Sequence, residues 1–239
     1  MDKAEGRRAL SKVYRRLLRS RGPAGWWPGQ DGFEMSVGAV LTQNTAWTNV
    51  EKALAVLRSR GLLSHARLRA MAPEEIAPLI RSAGCHNVKA RRLHALVAFL
   101  DEFSGRPENM AGQDARTLRK RLLAVPGVGR ETADSIALYA AGLPLFVVDA
   151  YTRRVFSRMG LLKGTEDYDV IQSYFMDRLP RDARLYNEYH AQIVLLAKDV
   201  CTRRPACAAC PLEVACPRVG VDDFRGGVLA PERVASTVT

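Results

Sequence analysis

Leu123-Ala124-Val125-Pro126-Gly127-Val128-Gly129-Arg130-Glu131-Thr132-Ala133 is the stretch that decides the fold. An amphipathic run capped by Asp114 enters it and ends near Ala124. A second apolar-periodic run leaves it at Arg130 and continues to about Ala141. Residues 115–141 therefore read as helix, tight turn, helix. Gly127 and Gly129, with Val128 between them, permit positive φ and a close approach of backbone to a ligand. The second helix starts at the turn, so the N–H groups of Gly127, Gly129 and Arg130 lack intrahelical acceptors and suit an anion. An ordinary helix–helix turn also uses glycine, and the segment alone leaves both readings open.

Working outward, the pattern stays helical. Leu10, Val13, Tyr14, Leu17 and Leu18 share one face of a run from Lys3 to Arg19. Trp26-Trp27-Pro28 lies in a Gly/Pro-rich break, and Phe33 to Leu41 is a strongly apolar helix candidate. Thr45 is the expected cap of a helix running to about Arg60. Pro73-Glu74-Glu75 reads as a first helical turn, closed at Gly84, and a further helix is predicted from Asn87 to Phe103. After Gly142-Leu143-Pro144, the apolar run Leu145–Val148 leads to Asp149. Helices are expected over 150–159, 168–179 and 183–199, and the tail 218–239 is expected to be mobile. No strand alternation competes, so the expected class is all-α.

The chain has 239 residues, 47% of them hydrophobic, which excludes an intrinsically disordered protein. It carries 36 Lys+Arg against 25 Asp+Glu, a net charge of +11, and its pI is about 9.8. Such an excess favours polyanions, because each phosphate contact releases condensed counterions, although a soluble protein can also simply be basic. No apolar run approaches the roughly 18 residues that span a bilayer. No apolar signal segment follows the N-terminus, so no membrane partner is expected, and the expected address is the cytoplasm at the nucleoid.

Four of the five cysteines form the pattern Cys201-x5-Cys207-x2-Cys210-x5-Cys216. Thiolates so spaced converge on one soft metal centre; a zinc ribbon normally uses two Cys-x2-Cys knuckles and only one is present, which favours iron–sulfur over zinc. Cys85 stands apart and is expected in the core.

The segment 123–133 resembles the helix-hairpin-helix of the endonuclease III superfamily of DNA glycosylases. Val147-Val148-Asp149 resembles the Gly/Pro-Asp element of that superfamily, and Leu41-Thr42-Gln43-Asn44-Thr45 and Gly84-Cys85-His86-Asn87-Val88-Lys89-Ala90 resemble further segments. The likeness covers roughly residues 30–217. It implies a two-lobed fold: a helical barrel over 29–143 containing the hairpin, and a second lobe from 1–28 and 144–217 carrying the loop 201–216. It also implies a four-iron four-sulfur (4Fe-4S) cluster on the four cysteines, with Arg203, Arg204 and Arg218 beside it facing DNA phosphates; an ordinary solvated face is the alternative. The family's usual first gap is x6, one residue longer than here.

The same resemblance assigns roles. Asp149 matches the aspartate that stabilises oxocarbenium character at the sugar; N-capping the next helix is the alternative, and the two are compatible. Glu131 stands where bifunctional members carry the lysine that forms a Schiff base. A carboxylate cannot do so; Lys120 and Lys163 are not at that position, and a monofunctional glycosylase without lyase activity is expected. Glu131 assists water or simply favours the helix dipole. Gln43 matches the glutamine that enters the duplex when a base is flipped out; a helix-terminal polar residue is the bland alternative.

Trp26, Trp27 and Trp47 resemble the base-sandwiching aromatics of the 3-methyladenine DNA glycosylase III branch, or else pack as core. That branch's best-known form lacks the four cysteines. The expected activity is release of an alkylated purine, such as 3-methyladenine or 7-methylguanine, from double-stranded DNA by a monomer. The alternatives are an endonuclease III-type glycosylase for oxidised pyrimidines or mismatched thymine or uracil, a catalytically silent damage-binding protein, and, more remotely, a metal-regulated repressor.

Overall fold

The computed structural model describes residues 2–25 and 29–221. Trp26, Trp27 and the tail beyond Val221 lie outside the described residues. The described residues form helices and connecting turns, with no strand among them. None of these helices is long and apolar enough to cross a membrane.

The capping chemistry sets the helix limits. Helix α1 (Lys3–Arg21) opens on a capping box between Asp2 and Glu5 and closes at Gly22, where φ is 71°. Helix α2 (Gly32–Leu41) starts on the Asp31 side chain and is buried nearly all round. Helix α3 (Trp47–Ser59) has Ala46 at its N-cap without a side-chain bond. This corrects the expected Thr45 cap: the Thr45 hydroxyl instead accepts from the Asn49 side chain at 3.3 Å.

Two short helices, α4 (His65–Arg69) and α5 (Pro73–Ile76), and a 3-10 segment (Ala77–Ala83) lead to Gly84, at φ 71°. Helix α6 (His86–Phe99) gives way to 3-10 turns at Leu100–Phe103, shorter than the continuous helix expected there. Cys85 precedes α6 in the left-handed region, at φ 43°, and is exposed. The expectation of a core cysteine is therefore wrong: the Gly84-Cys85 reversal turns the side chain outward.

Helix α7 (Ala115–Leu123) begins on Asp114 as expected. Beyond the turn comes α8 (Arg130–Ser135), which does not continue as a regular α-helix to Ala141. Residues Ile136–Ala140 form a π-turn instead. Helices α9 (Ala150–Arg158), α10 (Tyr168–Met176) and α11 (Ala183–Asp199) follow, each opening on an aspartate: Asp149, Asp167 and Asp182.

The buried apolar side chains separate into two cores. One runs from Phe33 to Leu145 and gathers α2, α3, α6, α7 and the inner face of α8. The other joins Leu10, Val13 and Leu17 of α1 to Phe146–Val148, α9, α10 and α11, and includes Leu138 of the π-turn. Between them lies a buried polar knot. Asp134 of α8 is fully buried, pairs with Arg119 of α7 at 2.8 Å and accepts from Gln172 of α10 at 2.7 Å. Arg119 reaches on to Asp169 at 2.6 Å. Burial pushes the Asp134 carboxyl up from its ordinary value, and the bonds from Arg119, Tyr168 and Gln172 offset only part of that.

Removing one partner of such a pair strands a buried charge. Arg119→Met should therefore lose about 3 kcal/mol of unfolding free energy in urea at neutral pH. The loss should shrink in acid, where Asp134 takes up a proton; equal losses at both pH values would refute the assignment.

Candidate active site

Asp149 ends the extended run Leu145–Val148 and caps α9, so both sequence readings of its local position meet at one residue. Its Oδ1 accepts from the Thr152 N–H at 2.7 Å and the Thr152 hydroxyl at 2.8 Å. Its Oδ2 lies 3.4 Å from Nε2 of His190 on α11. The Asp149 side chain keeps 12% exposure. Burial works to raise its pKa, but His190 and the two Thr152 bonds outweigh it and hold the carboxyl below its ordinary range. Asp149 is an anion at neutral pH.

Glu131, in the first turn of α8, titrates in the opposite direction. It retains solvent access, yet protein crowds it on its other sides. Desolvation, then the charge of Asp149, raise its pKa to about 7, against weaker opposing effects of His190 and Arg153. Two carboxylates thus share one field in different protonation states, the arrangement that separates acid and base roles.

Gly127, Gly129 and Arg130 are exposed, while Val128 is buried into the first core. Gly127 has φ 83°, and a Cβ there would meet the Arg92 side chain at 2.2 Å. Gln43, just past α2, is brought to this turn. Its amide nitrogen donates to the Gly127 carbonyl at 3.0 Å and the Thr132 hydroxyl at 2.9 Å; its oxygen accepts from Arg92 at 2.6 Å. The loop carrying Gln43 is fastened by Lys89, whose buried ammonium donates to the carbonyls of Leu41 and Ala83. Arg130 does not stand alone: its guanidinium pairs with Asp167 at 2.6 Å and Asp169 at 3.4 Å.

Trp47 lies on α3, where its indole N–H donates to Glu51 at 2.8 Å and its ring packs on the first core. Sequence reasoning assigned no role to His190, Tyr139, Arg92 or Thr132. A histidine in the apolar run of α11 was the one visible signal for His190. The others join the site through contacts between residues far apart in sequence.

Cys201, Cys207, Cys210 and Cys216 line one cavity with Val155, Leu196 and other apolar side chains. Arg158 donates to Cys201 Sγ at 3.3 Å and to the Thr202 carbonyl at 2.6 Å, while Cys216 Sγ donates to the Arg158 carbonyl at 3.4 Å. No three candidate ligands among the described residues close on a single ion. Burial and the neighbouring cysteines push the Cys210 and Cys216 thiols up, and bonds to the backbone offset part of it. An all-thiol donor set round an apolar cavity has the donor chemistry of a soft metal centre, iron–sulfur among them. Arg203 and Arg204 are exposed beside it.

Residues 37–181 match the HhH-GPD superfamily of base excision DNA repair proteins. The chain belongs to this superfamily. A protein of Methanocaldococcus jannaschii, provisionally named a DNA repair glycosylase, is 44% identical over 209 residues, covering 87% of this chain and 95% of that protein. The Helicobacter pylori 3-methyladenine DNA glycosylase, solved with 1,N6-ethenoadenine, superposes with a TM-score of 0.66 at 30% identity over 83% of this chain and 98% of the other. A non-covalent endonuclease III–DNA complex gives a TM-score of 0.72 at 25% identity over 91% and 96%. The all-helical, endonuclease III-like fold read from the hairpin is therefore this protein's fold, and its HhH-GPD relatives are DNA glycosylases.

The depressed pKa of Asp149 makes a stability prediction. Its ionised form is favoured in the folded chain, so its contribution is present above the ordinary carboxyl pKa of about 3.9 and is lost as pH falls through the lower folded value. Asparagine keeps the cap but not the charge. Asp149→Asn should be less stable than wild type by about 1 kcal/mol at pH 7. In urea titrations the two curves should converge as the pH drops below about 4. A gap that stays constant with pH would show that the charge contributes nothing.

Proposed function

We propose that this protein is a monofunctional DNA glycosylase that hydrolyses the N-glycosidic bond of an alkylated purine flipped out of double-stranded DNA. The observation that carries the reading is Glu131 at the hairpin, a carboxyl with a pKa near 7 in the field of the Asp149 anion. An amine there would attack the sugar and permit strand cleavage; a carboxyl group cannot form the Schiff base that this route needs. Two carboxylates also favour cationic ligands, and an N-alkylated purine carries positive charge on its ring. The likeness to the H. pylori enzyme, whose structure holds a modified adenine, supports a purine substrate. Trp26, Trp27 and Trp47 are the proposed source of aromatic contacts to the base, and Gln43 of the group that enters the duplex. Exposed Gly127, Gly129, Arg203 and Arg204 supply phosphate contacts, with Val128 anchoring the turn and Arg130 fixing its orientation.

The chemistry follows from charge. The C1′–N bond breaks with its electron pair passing to the cationic base, which leaves neutral and needs no proton. Asp149 stabilises the positive sugar that remains. Water adds to C1′, and Glu131 in its carboxylate form takes the released proton. Activity therefore needs Glu131 ionised. Single-turnover release from methylated duplex DNA should rise with pH through about 7 and then level. Glu131→Gln should lower the plateau by roughly 100-fold and erase that inflection. Strands should break only after alkali. Breaks without alkali would overturn the monofunctional reading; no release of methylpurines would overturn the substrate.

The four cysteines are proposed to hold a 4Fe-4S cluster that cross-links the end of the second lobe and takes no part in bond breaking. Anaerobic reconstitution should load about four irons per chain with visible absorption, and raise the unfolding temperature. Cys207→Ser should lose both. One colourless zinc per chain would replace the iron–sulfur assignment.

A further inference from the structure

His190 interrupts the buried apolar face of α11, between Tyr189 and Ala191. Its side chain is 5% exposed, and its two ring nitrogens face different helices. Nδ1 meets the Tyr139 hydroxyl of the π-turn at 2.5 Å. Nε2 is buried, makes no hydrogen bond of full geometry, and lies 3.4 Å from Asp149 Oδ2. A buried histidine whose only task is packing needs one partner. This one has a partner on one nitrogen and aims the other at the carboxylate on which the proposed reaction depends.

Donation from the Tyr139 hydroxyl to Nδ1 is the arrangement that leaves a ring proton on Nε2, toward Asp149. On the carboxylate, Thr152 takes up Oδ1 with two bonds. Oδ2 is the oxygen left over, and His190 is the group in front of it. The cap and the ring together fix rotation about the Cβ–Cγ bond. The contact is longer than a full hydrogen bond, so it orients the anion without neutralising it.

We infer that His190 is a positioning residue: held by Tyr139, it presents Nε2–H to Asp149 Oδ2 and keeps that carboxylate correctly turned for the forming oxocarbenium. The inference rests on Asp149 acting as proposed above. The ionisable groups around the carboxylate are His190 from α11 and Glu131 from α8, with Arg153 of α9 acting on Glu131. Among them His190 opposes the upward push of burial on Asp149, and Glu131 ionises only as the pH passes about 7. Without the imidazole, Asp149 should titrate higher.

The test uses the full chain with methylated duplex DNA and compares wild type, Asp149→Asn, His190→Phe, His190→Gln and Tyr139→Phe. His190→Phe should slow single-turnover base release at least about tenfold with unchanged affinity for the duplex. The acid limb of its pH–rate profile, which Glu131 sets in wild type, should move upward, because His190 also opposes the rise in the Glu131 pKa. His190→Gln places an amide N–H where Nε2–H stood and should recover most of the rate. Tyr139→Phe should show a smaller loss in the same direction.

A His190→Phe variant with wild-type rate and acid limb, while Asp149→Asn is inactive, overturns the inference and leaves the reading of Asp149 standing. An active Asp149→Asn overturns that reading instead. If His190→Phe does not fold, Tyr139→Phe decides, since it removes one hydroxyl; an unchanged rate and acid limb there overturn the inference. If the wild type releases no methylpurine, carboxyl-carbon NMR titration of Asp149 in wild type and Tyr139→Phe tests the positioning without turnover. An upward shift is expected, and coincident titrations overturn it.

Discussion

Helix α8 and its π-turn belong to two hydrophobic cores at once, and the site depends on that shared membership. Ala133, Ile136, Ala137 and Ala140 enter the first core, whereas Leu138 enters the second and Tyr139 packs against it. A π-turn holds an extra residue in the ring closed by each hydrogen bond, which changes the direction of the side chains that follow. Here it lets one short segment bury residues toward both sides. The Asp134–Arg119–Gln172 knot then fixes the same segment to α7 and α10. Clamped in this way, α8 sets Glu131 at one end and Tyr139 at the other, against Asp149 and His190 from the elements of the second core. The elements of neither core hold the whole constellation.

The division of labour between Glu131 and Asp149 follows from what surrounds each. Asp149 is the more enclosed, and burial alone would neutralise it. Two bonds from Thr152 and the nearby imidazole reverse the sign. Glu131 lacks comparable donors, and its neighbour is already an anion, so its proton leaves only near pH 7. The positive end of the α8 dipole favours an acid at this position but does not set its protonation state. A lysine in place of Glu131 would pair with Asp149 and remove the difference between the two groups. The residue that cannot itself form a Schiff base therefore also creates a titrating pair.

Much of this was legible because the signals were local. Asp114, Asp149 and Gly84 mark helix ends through their own side chains or backbone freedom, and each does so in the structure. The turn at 125–129 announces itself by its glycines and proline. The π-turn left no trace, since Ile-Ala-Leu-Tyr-Ala suits an α-helix equally well and the choice is made by two cores pulling in different directions. Ala46 rather than Thr45 begins α3 because the threonine hydroxyl found a side-chain partner instead. Cys85 looked apolar and isolated, which suits a core, but the left-handed turn after Gly84 decided its direction. The partners of Gln43 and His190 lie 84 and 51 residues away, at Gly127 and Tyr139, beyond any periodicity argument.

The contacts of Gln43 bear on how a duplex would be admitted. Its amide makes three bonds at the hairpin, to Gly127, Thr132 and Arg92. A glutamine that enters a duplex must release all three, at a net cost of about 1 kcal/mol for each neutral bond and more for the one to the guanidinium. The groups left behind are not stranded in an apolar interior. The Gly127 carbonyl is at an exposed turn, and Arg92 is half-buried beside it, within reach of the surface that meets phosphate. On the proposed reading, breaking the latch would free a guanidinium on the side the polyanion approaches, and a charge-assisted phosphate contact would offset the lost bonds. Lys89 keeps the loop's root fixed through the Leu41 and Ala83 carbonyls, so the movement is confined to the side chain. In the free protein the same three bonds keep Gln43 at the hairpin, next to the place where the duplex would be opened.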